Sequence, residues 1–230
     1  MIRFTRLRVC AVALAFAGMS LAARADVILD TFNDRSSIWP LDTTVTDPTS
    51  VTTVPDSASH VPGGQRMVGI GTSNMDFDGI DDATANIYYS LTYSFLDYRS
   101  SVGAAATVEL GYGQSTPLNI SGGNAIQIAF MAYDLPQSGQ LQVKATVTQG
   151  ANTPIQFTKS VTSGGAQTFN LPLTGYSYGK VDSVVLDFIA PKGTDYRIDS
   201  ITVAVPEPAA LGLLGLGLPL LMLRRRRRIS

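Results

Sequence analysis

Gln140-Leu141-Gln142-Val143-Lys144-Ala145-Thr146-Val147-Thr148 decides the fold class. Leu141, Val143, Ala145 and Val147 fall at every second position, and Gln142, Lys144, Thr146 and Thr148 fill the positions between. Successive side chains of a strand point to opposite faces, so this period of two reads as a strand with one face in a core and the other in water. Runs of similar length lie on both sides, at Val27–Phe32, Gln65–Ile70, Ala85–Tyr89, Ala104–Tyr112, Ala125–Ala132, Ile155–Val161, Gln167–Leu171, Val181–Ile189 and Ile198–Val203. Turn-forming clusters such as Pro62-Gly63-Gly64 and Ser163-Gly164-Gly165 separate them, and no stretch combines helical period with helical length. Short strands between Gly, Pro, Asn and Ser turns predict an all-β domain over residues 26–204, an antiparallel jelly-roll-like β-sandwich.

Outside this region both ends of the 230-residue chain are basic and apolar. Arg3, Arg6 and Arg8 precede an apolar run, Val9–Leu21, and Ala23-Arg24-Ala25 is a small-x-small site before Asp26. That order is the grammar of a cleaved signal peptide over residues 1–25. The apolar run is shorter than the roughly 20 residues a membrane-spanning helix needs. No Arg-Arg pair precedes it, which points to signal peptidase and the general secretory machinery rather than the twin-arginine route. The single cysteine, Cys10, lies in the segment to be removed, so the mature domain has no disulfide, thiolate metal site or cysteine nucleophile.

The other end begins with Val205-Pro206-Glu207-Pro208. Fifteen uncharged residues, Ala209–Leu223, follow, and then Arg224, Arg225, Arg226, Arg227 and Arg228. Fifteen helical residues span about 22 Å, so a transmembrane helix there needs its flanking residues and snorkelling arginines to cross the inner membrane. The positive-inside rule holds the arginine cluster in the cytoplasm and puts the β domain on the far side. Two prolines keep Glu207 extended and accessible above the bilayer.

This tail resembles the PEP-CTERM sorting signal in all three parts, Pro206-Glu207-Pro208, Ala209–Leu223 and Arg224–Arg228. The resemblance covers residues 205–230 and implies an exosortase as partner, removal of the tail during sorting, and a cell-surface or extracellular-matrix destination. The alternative for the same residues is a permanent single-span anchor. The opening Asp26–Asp34 and the closing Gly193–Val203 are similar to domains commonly attached to this tail, jelly-roll-like sandwiches that resemble carbohydrate-binding modules.

The formal net charge of −1 conceals an asymmetry. Nine of the seventeen Lys and Arg sit at the two ends, leaving eight between Asp26 and Leu223 against eighteen acids. Arg35, Arg66 and Lys144 read as scattered single charges, which excludes nucleic acid as a partner.

Enzyme chemistry finds no anchor. The only histidine, His60, lies in Ser57-Ala58-Ser59-His60-Val61-Pro62, and no Gly-x-Ser-x-Gly element accompanies it. Two sets of oxygen ligands suggest a structural calcium. Strand parity puts Asp30 on a face with Ile28 and Phe32, and Asp199 on one with Ile201 and Val203; if the terminal strands pair, two inward carboxylates demand a cation or several backbone donors. A bulge would instead turn them to water. The alternative set is Asn74, Asp76 and Asp78 in Asn74–Asp82, which mimics the first half of a calcium loop but has Ala85 where the bidentate glutamate belongs. Trp39, Tyr88, Tyr89, Tyr176 and Tyr178 supply aromatic material for stacking sugars. The expectation is a non-catalytic exported module that associates with exopolysaccharide; the alternatives are a carbohydrate-active hydrolase and a purely structural or adhesive sandwich.

Overall fold

In the computed structural model, residues 26–33, 41–42, 52–58, 60–75, 83–89, 94–134, 136, 139–173 and 179–205 are described, and every regular element among them is a strand. In chain order these are β1 (Val27–Asp30), β2 (Leu41–Asp42), β3 (Thr52–Ser57), β4 (Gln65–Met75), β5 (Ala83–Tyr89), β6 (Ser94–Ser100), β7 (Ala104–Tyr112), β8 (Leu118–Asn119), β9 (Ala125–Asp134), β10 (Gln142–Thr148), β11 (Ile155–Ser160), β12 (Gln167–Pro172), β13 (Lys180–Val181), β14 (Ser183–Ala190) and β15 (Asp195–Ala204). The expected signal peptide (1–25), membrane helix (209–223) and sorting motif lie outside the described residues.

Two antiparallel sheets carry the domain. One runs β12-β9-β15-β6-β5-β2, with β1 also on β15; the other runs β11-β10-β14-β7-β4-β3, and β8 pairs with β13 in a small third sheet. The hairpin β3–β4 belongs to the second sheet and β5–β6 to the first. After it β7 enters the second, β9 the first, β10–β11 the second, β12 the first, β14 the second and β15 the first. Repeated exchange means that neither sheet forms without the other. The alternation read from Gln142–Thr148 is present: Val143, Ala145 and Val147 are buried, while Lys144, Thr146 and Thr148 are half-exposed. On β14 the same period buries Val184, Leu186, Phe188 and Ala190.

The two inner faces share one core. At its centre Tyr196 of β15 stacks on Tyr98 of β6 with ring centroids 4.7 Å apart, takes the edge of Phe130 at 6.1 Å, and meets Phe188 of the opposing sheet at 5.8 Å. Such aromatic pairs add about 0.5–1.5 kcal/mol each beyond their buried area. Burial pushes the Tyr98 hydroxyl up to about 12 and the Tyr196 hydroxyl well above its ordinary range, so both stay neutral in the core. The turn after β7 depends on Gly113: its φ is +87°, and a Cβ there would lie 2.8 Å from the Asp182 carbonyl oxygen.

The first and last strands are neighbours. β15 pairs with β6 through Tyr196–Ile198 and with β1 through Ile201–Val203, so β1 continues the line of β6 along one edge of β15. Beyond the ladder, the Val205 amide donates to Asp26 Oδ1 at 3.0 Å. Asp26–Val205 is one compact unit, which extends the expected domain by a single residue.

Candidate functional site

Two clusters of opposite charges lie on this framework, one inside the sandwich and one on its surface. The inner cluster begins with three neighbours in ladder register on the second sheet, Asp56 of β3, Arg66 of β4 and Tyr112 of β7. Asp30 of β1 reaches them from the first sheet. Arg66 Nη1 donates to Asp30 Oδ1 and Oδ2 at 3.1 and 2.9 Å, and Arg66 Nε donates to Asp56 Oδ2 at 2.8 Å. The Tyr112 hydroxyl donates to Asp30 Oδ2 at 3.2 Å, and the Phe32 amide to Asp30 Oδ1 at 2.7 Å. That last bond closes an Asx turn with Phe32 in the left-handed region at φ 53°, placing its ring 5.7 Å from the guanidinium carbon. Asp30, Asp56 and Arg66 are each 1% exposed. Burial holds the Asp30 carboxyl above its ordinary range, against the opposing pull of Arg66 and the hydrogen bonds from Phe32, Arg66 and Tyr112.

This arrangement separates Asp30 and Asp199, the pair of the calcium expectation. Both strands break register at these residues, β1 between Ile28 and Asp30 and β15 between Ile198 and Ser200. The first break leaves Ile28 exposed and turns both Leu29 and Asp30 inward; the second leaves Asp199 exposed. Only one of the two carboxylates is inside, and its counter-charge is Arg66, which in the sequence reads as a scattered single charge. Asn74 of the alternative set lies in β4, one residue before its end, opposite Ala105, and Asp76 and Asp78 lie outside the described residues. Among the described residues no three acidic, histidine or cysteine side chains group as a metal site.

The outer cluster lies on the solvent face of the first sheet, where β6, β15 and β9 run side by side. Asp97 stands opposite Arg197, and Arg197 opposite Ala132, in one row across these strands. Arg197 Nε donates to Asp97 Oδ1 at 2.7 Å, and Arg99 Nε donates to Asp97 Oδ2 at 2.8 Å. Asp97 is buried by these two side chains rather than by the core: its side chain is 3% exposed, whereas those of Arg99 and Arg197 are 56% and 43% exposed. The Arg197 guanidinium also sits 5.4 Å from the centre of the Phe95 ring. Asp134 and Asp195 face each other across β9 and β15, and Asp195 Oδ1 accepts from the Ser100 amide at 3.2 Å. Ala132 is too short to fill the space among them, and a groove of about 290 Å³ results.

Sequence reasoning missed the groove, although its signal was available. Asp97-Tyr98-Arg99 and Asp195-Tyr196-Arg197 repeat the order acid, tyrosine, arginine, which on strands buries each tyrosine and places acid and arginine together on the opposite face. A third polar feature lies on the solvent face of the second sheet. Glu109 of β7 and Asp187 of β14 are opposite each other, and Lys144 Nζ lies 3.1 Å from Asp187 Oδ2. Burial, the Asp187 charge and a hydrogen bond to Asp187 raise the Glu109 carboxyl, with Lys144 opposing. His60 is exposed, the side chains of Tyr88 and Tyr89 are not described, and Trp39, Tyr176, Tyr178, Pro206, Glu207, Pro208 and Arg224–Arg228 lie outside the described residues.

No protein-family model matches the chain, and comparison with curated proteins gives no match. Among solved structures, the chain is similar to the family 11 carbohydrate-binding module of a cellulosomal cellulase of Clostridium thermocellum, with 10% identity over 82% of this chain and 99% of that one and a TM-score of 0.39. A mutant family 29 carbohydrate-binding module complexed with mannohexaose is similar at 14% identity over 67% of this chain and 90% of that one, with a TM-score of 0.35. An exo-β-agarase is similar at 10% identity and a TM-score of 0.38; 60% of this chain is matched, and it spans only 23% of the agarase.

Proposed function

We propose that the protein is an exported, non-catalytic surface module that associates with exopolysaccharide through the outer face of its first sheet. The observation that carries the reading is the Asp97–Arg99–Arg197 arrangement. Two guanidiniums are fixed through Nε on one carboxylate, beside an open groove that the carboxylates of Asp134 and Asp195 also line. Donors and acceptors held by strands lose little freedom when a polyol binds, and groups that present both kinds of hydrogen bond suit hydroxyls.

A hydrolytic reading draws no comparable support. Both Asp97 oxygens are taken by arginines. Glu109 and Asp187 stand opposite each other on β7 and β14 with Lys144 beside Asp187, and neither lines the groove.

Export and sorting belong to the same proposal: signal peptidase removes Met1–Ala25 after translocation by the general secretory machinery, and an exosortase acts on Pro206-Glu207-Pro208 at the inner membrane. The pairing of β1 with β15 and the Asp26–Val205 bond support it, because both membrane-directed segments then join the domain at one place. Affinity electrophoresis of residues 26–205 in gels containing the producer's own exopolysaccharide tests the binding. Retarded migration is expected, and migration equal to that in a blank gel rejects polysaccharide association. Intact mass of the native protein tests the processing: it should start at Asp26 and lack Arg224–Arg228, and retention of the arginines would make the tail a permanent anchor.

A further inference from the structure

The charge pattern of the groove selects among polysaccharides, and we infer that it takes a neutral, hydroxyl-rich glycan and rejects polyuronates. This inference rests on the polysaccharide reading above and deepens it. The lining carries Asp97, Asp134 and Asp195 against Arg99 and Arg197, a formal charge of −1. That balance understates the asymmetry a ligand meets. Each arginine is anchored through Nε on Asp97, and Arg197 also rests over Phe95, so part of the positive charge is spent within the protein. Asp134 and Asp195 are instead the solvent-facing acids of the groove.

Asp134 and Asp195 also stand directly opposite each other on paired strands, an arrangement of like charges that costs stability. Asp134 and Asp195, in register on adjacent strands, can each accept a hydrogen bond from sugar hydroxyls. The Arg197 Nη groups beyond Asp97 donate to ring and hydroxyl oxygens. A neutral sugar satisfies both sets. A uronate carboxylate brings a third negative charge beside the two solvent-facing acids.

The experiment compares retardation of residues 26–205 by a neutral galactomannan and a neutral β-glucan with retardation by alginate and polygalacturonate at the same mass concentration and ionic strength. At least one neutral polymer is expected to bind at least about tenfold more tightly than either polyuronate, a factor equivalent to about 1.4 kcal/mol. The variant D134N/D195N keeps the acceptor for the Ser100 amide and should lose about tenfold in neutral-glycan affinity while narrowing the gap to alginate. R197A should weaken neutral binding by a similar factor with its unfolding midpoint little changed. Preference for the polyuronates would overturn this inference and leave the polysaccharide reading standing. Neutral binding that the three substitutions do not alter would move the site off the groove and overturn it as well. Absence of binding to every polymer, including the producer's own, would overturn both.

Discussion

The sandwich contains two charge clusters of inverse composition. In the core one guanidinium, Arg66, is shared by two carboxylates, Asp30 and Asp56; on the surface one carboxylate, Asp97, is shared by two guanidiniums, Arg99 and Arg197. The hydrogen bonds are of like length, between 2.7 and 3.1 Å. Solvent makes the difference. Desolvating the inner groups is costly, so every remaining partner must be in place, and a missing one leaves a charge with neither water nor a counter-ion. The outer arginines are half in water and lose little when Asp97 is removed. The same chemistry is thus a structural joint in one place, where Asp30 ties β1 and its neighbours Leu29 and Phe32 to the opposite sheet, and in the other a half-exposed surface, the one proposed above to meet polysaccharide.

The largest effect that could break this comparison is on folding stability. Arg66→Ala takes the counter-charge from two buried carboxylates and should cost about 3–5 kcal/mol in urea unfolding of residues 26–205. Arg197→Ala removes a half-exposed side chain and should cost about 1 kcal/mol or less. If Arg66→Ala fails to fold, Arg66→Lys, which keeps the charge but not the fork that spans both acids, supplies the intermediate measurement. Equal losses at the two arginines would show that burial does not set the two clusters apart.

A smaller effect is expected from Asp30 and it carries a sign. Its folded carboxyl lies above its ordinary value of 3.8 because burial outweighs the pull of Arg66 and the hydrogen bonds. A group shifted this way contributes stability that is complete below the unfolded value and is lost as pH rises through the folded one. Wild type should therefore lose stability relative to Asp30→Asn as pH increases from about 4 toward neutrality. The asparagine variant should be the less stable protein at acidic pH by about 2 kcal/mol, the scale of hydrogen bonds to charged groups. Unfolding free energies of the two proteins across that range decide it. A difference that runs the other way with pH would mean that Arg66 dominates Asp30 and that the inner cluster holds both acids ionised.

The sequence made these clusters unequally legible. The ten expected strand runs all correspond to strands, because alternation over five or more residues survives shifts of a residue or two at the ends. Thr52–Ser57 escaped notice because Pro55 argues against a strand, a penalty relaxed at the edge where β3 pairs only with β4. Ser94–Ser100 escaped because Asp97 and Arg99 dilute its apolar residues. Strand parity is a poor guide to inward residues where strands bulge, and β1 and β15 bulge at the two aspartates on which the calcium expectation relied. Asp30 does point inward, but through a break in the period rather than by following it. Arg66 was illegible for another reason. Nothing local distinguishes an arginine that will be solvated from one whose partners come 10 and 36 residues away, since the pairing is made by sheet order and not by sequence distance.

The smallest expected effect tests the surface half of the comparison. Asp97→Asn removes the charge that gathers Arg99 and Arg197, but each arginine then returns to water it already touches. The cost should be within about 1 kcal/mol, which for a domain of this size moves the melting temperature by roughly 2–4 °C at most. Salt separates this bridge from the inner one. Screening acts on half-exposed pairs, so raising ionic strength should reduce the small stability difference between wild type and Asp97→Asn toward zero. The difference between wild type and Arg66→Ala should be nearly insensitive to salt, because counter-ions do not reach groups that are 1% exposed. Melting curves of the three proteins at low and high salt make the comparison directly. If the Asp97 difference instead persists unchanged at high salt, the outer arginines are held in a dry environment like that of Arg66, and the groove is part of the folded architecture rather than a surface set aside for a ligand.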